Sequence, residues 1–349
     1  MIRKIILNSL YYSGIQALLS PVTCGTGAVF MFHHVRKLEN RSFSPNYHLN
    51  VTPEFLDKMI TSLKNKGHEF ITMDEVALRL QRPKQYENAP PFAALTLDDG
   101  YRDNAENAVP VFRKHNVPYM IYVATGITER ESMLWWEDLE HVIAARNRMH
   151  VDLPDGRVEF DLSTTSKKQT AYKQLVNHLL ADVDEREQRK IVASIAKYND
   201  FDQRAHTDRE VMDWQDINEL IEDPLCSIGA HTINHYILSK LSEEDALFEM
   251  RQSLKILEQE IGYAPEHFAY PYGMKFAAGK REFELAKKIG FKTAVTTRHG
   301  VIFPEHKEHM TALPRVSVNG NHQSMHYITT MLSGIPGMIA NYGKRINVT

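Results

Sequence analysis

An apolar run, Pro91–Leu97, ends in Asp98, Asp99 and Gly100. Two adjacent carboxylates where a buried strand stops can do two different jobs. Neighbouring side chains at a strand end point in different directions. One carboxylate can therefore ligate a cation while the other stays free to accept a proton from an attacking water. A nearby cation keeps that second carboxylate ionised. A plain turn also accounts for these residues, because Asp-Asp-Gly is good turn chemistry and Gly100 tolerates positive φ. The functional reading needs partners, and His231 and His235, in His-Thr-Ile-Asn-His, can supply them. Histidines at i and i+4 share a face if the chain has entered a helix there, and two imidazoles suit one metal ion. With 17 histidines in the chain, that spacing alone is weak. Placement raises it: an apolar strand precedes the pair and a capped helix follows. The near match His306–His309 is read as exposed loop.

The elements that must position these groups are legible as short apolar runs. They are 28–32, 91–97, 119–124, 226–230, 267–271 and 292–297. All are continuous rather than alternating, as in strands buried on both faces. Helical patterns lie between most of them. One has Thr52 as N-cap, Pro53 at the first helical position and Gly67 at its end. Another is capped by Ser242, carries the stripe Leu247, Met250, Leu254, Leu257, Ile261, and stops at Gly262. A third ends at Gly290. Strand alternating with helix implies parallel strands, hence an α/β barrel or an open sheet. In either, sites form at the carboxyl ends of strands, and His33, His34, Asp98, Asp99 and His231 all follow strand ends. Residues 131–208 break the rhythm. They are charged and helical in pattern and are read as an insertion. From Gly334 the tail is read as peripheral.

Composition narrows the class. The 349 residues carry 41 Lys+Arg against 44 Asp+Glu, a net charge of −3. No basic block marks a nucleic-acid binder. Cys24 and Cys226 fit neither a disulfide framework nor a zinc finger; they read as small buried thiols, which suits a reducing compartment. The N-terminus is basic (Arg3, Lys4) and then apolar, but polar residues interrupt it and no signal-peptide cleavage pattern follows. It falls short of the roughly 18 apolar residues of a spanning helix. Residues 4–19 are expected to form one amphipathic helix, packed on the domain or laid on a membrane surface.

Leu-Thr-Leu-Asp-Asp-Gly-Tyr (95–101), His-Thr-Ile-Asn-His (231–235) and Phe-Ala-Tyr-Pro-Tyr-Gly (268–273), in this order, resemble the polysaccharide deacetylase (NodB-homology) family, carbohydrate esterase family 4. The resemblance spans about residues 28–320, flanked by an N-terminal segment 1–27 and a tail 321–349, with the insertion unmatched in shorter members. It implies a distorted (β/α) barrel and metal-dependent removal of an N-acyl group from an amino sugar. It gives Asp98 as general base and Asp99, His231 and His235 as the metal triad. Tyr272 becomes the residue whose backbone N–H helps bind the oxyanion. The chemistry is consistent: amide hydrolysis needs an activated water, oxyanion stabilisation and a protonated leaving amine. One divalent ion is implied. A His₂Asp set favours zinc, with cobalt or manganese also fitting.

Two departures stand out. The family's third motif carries an Arg two residues before Pro271, and here Ala269 occupies that place. Arg315, read as following a further strand end, is the candidate replacement. It is expected to hold one oxygen of Asp98 and leave the other to water; otherwise it is an ordinary packing arginine. The family's C-terminal Leu-x-His, source of its general acid, is also missing. His33, which resembles the histidine opening many members, is the first candidate acid and His299 the second; either could instead be structural. Trp135 and Trp136 could stack on a sugar or anchor a helix.

The leading expectation is an N-deacetylase (or N-deacylase) acting on an amino-sugar-containing polysaccharide, oligosaccharide or lipid-linked saccharide. The alternatives are an O-acetyl ester hydrolase and a catalytically idle glycan-binding fold-mate. The expected location is cytoplasmic, with both chain ends resting peripherally on the inner face of the membrane.

Overall fold

The computed structural model of the protein describes residues 2–39, 41–153 and 156–348. Seven parallel strands close a barrel: β1 (Gly27–Phe32), β2 (Phe92–Leu97), β3 (Tyr119–Val123), β4 (Cys226–Ala230), β5 (His267–Ala269), β6 (Thr293–His299) and β7 (Leu313–Ser317). Their spatial order is β1-β7-β6-β5-β4-β3-β2, and β2 pairs back onto β1 from Gly27↔Phe92 to Phe32↔Leu97. Closure decides between the two expected sheet types in favour of the barrel. A two-residue strand, Glu69–Phe70, hangs on β2 outside the ring.

The six apolar runs fall on β1–β6. The seventh strand was not among them, because Pro314 and Arg315 interrupt its apolar pattern. Arg315 lies inside β7 rather than after a strand end. Strand parity explains its placement. Residues two apart share a face, so Phe92, Ala94, Thr96 and then Asp98 point into the barrel. Leu313 and Arg315 do so from β7, and Val29, Met31 and His33 from β1. The lower layer of this interior is apolar, with Val29, Phe92, Ala94, Tyr122, Val295 and Leu313 packed together. The top layer carries the chemistry.

The outer helices include α1 (Pro53–Asn65) and α2 (Met73–Gln81), and the expected caps are kept. The Thr52 hydroxyl accepts from Phe55 N–H at 3.1 Å, and Ser242 from Asp245 N–H at 3.0 Å. Gly67, Gly262 and Gly290 adopt positive φ at the helix ends.

The insertion lies between β3 and β4. It is not all helical: Arg148–Leu153 and Gly156–Asp161 form an antiparallel hairpin. Met149 and Val151 face inward while charged neighbours face water, and that charge hid the alternation in the sequence. Its helices include α3 (Trp135–Ala145), Thr165–Ala181 and α4 (Glu185–Tyr198). They share an apolar core that includes Trp135, Leu139, Leu175 and Ile195 and extends to Tyr101 and Ala124 beside the barrel. Beyond it, α5 (Glu243–Ile261) packs against the barrel.

The expected helix 4–19 is two helices. Ile2–Tyr12 precedes Ile15–Thr23, and Gly14 at φ 76° breaks them. We call the first αN1 and the second αN2; the side chains of Ile2 and Arg3 lie outside the described residues. αN1 packs on the helix Met325–Leu332 (αC1), and αN2 on Ile335–Ala340 (αC2). The tail from Gly334 is therefore integral. A Cβ at Gly334 would lie 1.7 Å from the Thr23 carbonyl oxygen, and the Thr23 hydroxyl donates to Ser333 O at 2.5 Å. Among the described residues, no helix is long and apolar enough to cross a membrane. Both cysteines are free and half-buried rather than fully buried.

Candidate active site

The pairing of β1 with β2 brings His33 and Asp98 out of their strands side by side. Asp98 N–H donates to Phe32 O at 3.0 Å. Across the barrel, the fully buried Arg315 grips Asp98 as a fork: Nη1 to Oδ1 at 2.7 Å and Nη2 to Oδ2 at 2.6 Å. The single-oxygen hold expected from sequence is replaced by a two-oxygen hold, because both residues occupy the same inward layer and meet edge to edge. Arg315 is itself fixed, donating from Nε to Thr296 O at 2.9 Å and from Nη1 to Thr96 Oγ1 at 3.1 Å. Burial raises the Asp98 pKa, but the guanidinium outweighs it and holds the carboxyl below its usual range. A carboxylate has about four acceptor sites, so the fork leaves Asp98 capacity for a proton.

Asp99 has φ 73°, which turns its carboxylate away from that of Asp98. Its Oδ1 lies 3.3 Å from both His231 Nε2 and His235 Nε2. All three side chains are buried, with one ligand atom from each within 4.8 Å of the others. His231 Nδ1 is 2.7 Å from Ala269 O, which fixes that nitrogen as the N–H and presents Nε2 as a lone pair. The two histidines do not sit on a helix. Residues 231–235 form a loop with Thr232 at φ 63° and His235 at φ 54°, and the loop brings the rings to 5.0 Å.

That loop is clamped from two sides. Glu249 of α5 accepts from Ile233 N–H (3.1 Å), Asn234 N–H (2.9 Å) and Asn234 Nδ2 (2.6 Å). Arg189 of α4 donates to the carbonyls of Asn234 and His235 at 3.1 and 3.2 Å. Asp99, Thr232, His235 and Tyr272 make up half of the eight non-glycine residues with positive φ among the described residues. Backbone strain gathers at this one place, as at sites whose geometry the surroundings enforce.

Asp99 Oδ1 has no hydrogen-bond partner although it is buried. An orphaned carboxylate oxygen away from water is costly. Here it faces two imidazole nitrogens, and this donor set fits a divalent cation.

Tyr272 follows β5 at φ 60°. Its carbonyl accepts from the Thr297 hydroxyl at 2.6 Å, and its phenol from Trp135 Nε1 at 2.9 Å. Among the described residues its own N–H has no partner within the chain. Gly273 is required beside it: a Cβ there would lie 2.4 Å from Thr297 N.

His33 Nε2 stands 4.0 Å from Asp98 Oδ2, with one-fifth of the side chain exposed. Burial pushes its pKa down to about 4, so it is neutral at rest. His299, at the end of β6, lines the same cleft. His306, expected in exposed loop, is fully buried in a short helical turn. Trp135 and Trp136 anchor a helix, the second of the two readings offered for them, and also border the cleft. They are nearly buried at the start of α3, and they line a cleft of about 640 Å³ with Tyr172, His33, Asp98, Asp99, His231 and His235. Sequence reasoning missed Thr96, Glu249, Arg189 and Tyr172. Parity along Phe92–Asp98 could have found Thr96; nothing local marks the others.

The chain belongs to the polysaccharide deacetylase family, whose sequence model matches residues 85–294. It is thus a hydrolase of non-peptide carbon–nitrogen bonds, acting on N-acetyl amides. Among solved structures it is similar to the Streptococcus pyogenes deacetylase PplD in complex with acetate (18% identity, TM-score 0.57, 87% of this chain and 97% of that one). It is similar also to IcaB from Ammonifex degensii (16%, 0.54, 88% and 98%). A third is the putative polysaccharide deacetylase BA0330 from Bacillus anthracis (16%, 0.51, 87% and 68%). At these identities the likeness speaks for the fold. No curated protein sequence matches the chain.

Proposed function

We propose that the protein is a metal-dependent N-deacetylase of an amino-sugar-containing saccharide, with Asp99, His231 and His235 holding one divalent ion, zinc by preference. The observation that carries this is the buried, unpartnered Asp99 oxygen between two imidazoles, one residue from an arginine-held Asp98. When bound, the ion would supply Lewis acidity to the water and the acetyl carbonyl. Asp98 takes the proton of the attacking water, oriented by Arg315. The Tyr272 N–H receives the developing oxyanion, a donor worth typically ~3 kcal/mol. His33, neutral at rest, must gain a proton before it can pass one to the leaving amine; His299 is the other group lining the cleft that could do so.

We further propose a lipid-linked saccharide as substrate and a peripheral station on the cytoplasmic face of a membrane. Ile5, Ile15, Leu18 and Val22 are exposed on αN1 and αN2, an apolar face suited to reversible membrane contact. The deciding experiment is mass spectrometry of N-acetylated oligosaccharides and glycolipids after incubation with zinc-loaded protein. Loss of one acetyl mass is expected. No loss from any of them, by protein shown to hold zinc, would overturn the reading.

A further inference from the structure

A second cavity, of about 400 Å³, lies between the barrel wall and the terminal helices. Its lining is apolar: Leu7 from αN1, Val316 from β7, Met331 from αC1 and Pro336 from αC2. The polar residues at its edge are His299, which also lines the catalytic cleft, and Arg315, which reaches Asp98. αN1 spans both spaces, giving Lys4 to the cleft and Ile6 and Leu7 to the cavity. The space opens to solvent past Ile6 and Ile339, and its size is within the range of small-molecule sites.

We propose that this cavity binds the hydrocarbon chain of a lipid-linked saccharide whose sugar lies in the catalytic cleft; the inference rests on the deacetylase reading above and specifies its substrate. His299, which lines both spaces, sets the order: sugar at the metal site, chain beyond it. The surroundings of the cavity fit the same occupant. Its lining side chains Ile6 and Ile339 are 39% and 52% exposed. Of the sixteen large apolar side chains exposed among the described residues, nine fall within 5–22 and 339–342. A chain leaving a bilayer against this face meets apolar surface up to the cavity. A second copy of the protein would cover the face without accounting for a cavity that shares a wall residue, His299, with the cleft.

The test uses the full chain and a dodecyl N-acetyl-β-glucosaminide with a diazirine at the chain end, below its micelle concentration. The methyl glycoside is the control. Photolabelling read by peptide mass spectrometry requires no turnover. Label is expected on Val316, Met331 or residues 335–340. It should fall about tenfold, the effect of ~1.4 kcal/mol of lost affinity, in the rim-filling variant Ile6→Trp/Ile339→Trp. It should be unchanged in Ile15→Glu/Leu18→Glu, which alters the exposed face but not the cavity. Label spread over 12–22, or undiminished by the tryptophans, would overturn the proposal. So would sedimentation of a wild-type dimer that the tryptophans dissociate, which would make the face a contact between copies. Equal kcat/KM for methyl and dodecyl glycosides would also overturn it while leaving the deacetylase reading intact. Cavity labelling with no acetyl release from any N-acetylated saccharide would do the reverse.

Discussion

On the barrel side of the cleft, charges meet edge to edge: Arg315 with Asp98, and Asp99 against His231 and His235. On the insertion side, Trp135, Trp136, Tyr172, Val176 and Leu180 face the same space with rings and alkyl groups. The barrel side is set by strand register, which fixes side chains to fractions of an ångström. The insertion side is set by helix packing around its apolar core. The first suits bond making and the second suits shape. What joins them is a buried cluster behind the cleft. His34, two residues past β1, reaches Asp103 at 2.7 Å and Glu137 of α3 at 2.6 Å. Its ring lies 3.5 Å from that of Tyr101, whose phenol accepts from Trp136 Nε1 at 3.1 Å.

If chemistry belongs to the barrel side, the largest loss comes from Asp98→Asn. The amide keeps the shape but cannot take a proton, and loss of a general base costs ~10²–10⁴ in turnover. Zinc content should stay at one per chain, because Asp99 and the histidines are untouched. Wild-type turnover in this variant would reduce Asp98 to turn scaffolding.

The join between the two sides should respond to pH in the opposite sense to the floor. Burial opposes charge on His34, but Asp103 and Glu137 outweigh it and hold its pKa up at about 9. A raised pKa gives stability that is fully present below the unfolded value of ~6.5 and is lost as pH rises through about 9. Asp98, held low by Arg315, gives stability present above ~3.9 and lost as pH falls through its folded value. The join therefore weakens in alkali and the floor in acid. Removing His34 as His34→Gln should cost on the order of 3 kcal/mol at pH 6 and flatten the stability curve between pH ~6.5 and 9. Urea unfolding at pH 6, 7.5 and 9.5 measures both. Parallel curves for variant and wild type would mean that His34 carries no charge in the join.

The barrel side was largely legible in the sequence because strands speak locally. Six continuous apolar runs gave six strands, and the polar residues just past them gave Asp98, Asp99 and His231. β7 was lost because Pro314 and Arg315 disguise it. Yet Arg315 was found by asking what replaces the arginine that the family resemblance implies at the position of Ala269. The pairing of His231 with His235 was legible, but not its backbone, because i,i+4 spacing has more than one solution. A loop with two positive φ values brings the rings together as well as a helix turn does. The insertion side was opaque for a different reason. Its contribution to the cleft depends on how helices far apart in sequence pack, and on a hairpin hidden under charge. No residue type at Tyr172, Arg189 or Glu249 announces a partner elsewhere in the chain.

The smallest expected effects sharpen the comparison at the one loop both sides touch. Glu249, from the barrel helix α5, accepts two backbone N–H groups on a single carboxylate oxygen. In Glu249→Gln, either that oxygen becomes an NH₂ facing two donors, or the side chain turns and loses the Asn234 amide. The metal loop loosens in both cases, and zinc affinity should fall ~10- to 100-fold, the usual scale for groups that orient ligands. Arg189, from the insertion helix α4, holds the carbonyls of Asn234 and His235 and lies 5.2 Å over the Tyr236 ring. Arg189→Lys keeps a charge but loses the planar fork. It leaves the Glu249 bonds intact, so its cost should stay below about tenfold. Competition with a zinc chelator measures both, with circular dichroism of the zinc-free proteins as the check on folding. If Arg189→Lys costs as much as Glu249→Gln, the insertion helps hold the metal loop as firmly as the barrel does, and the division between a chemical side and a shaping side fails.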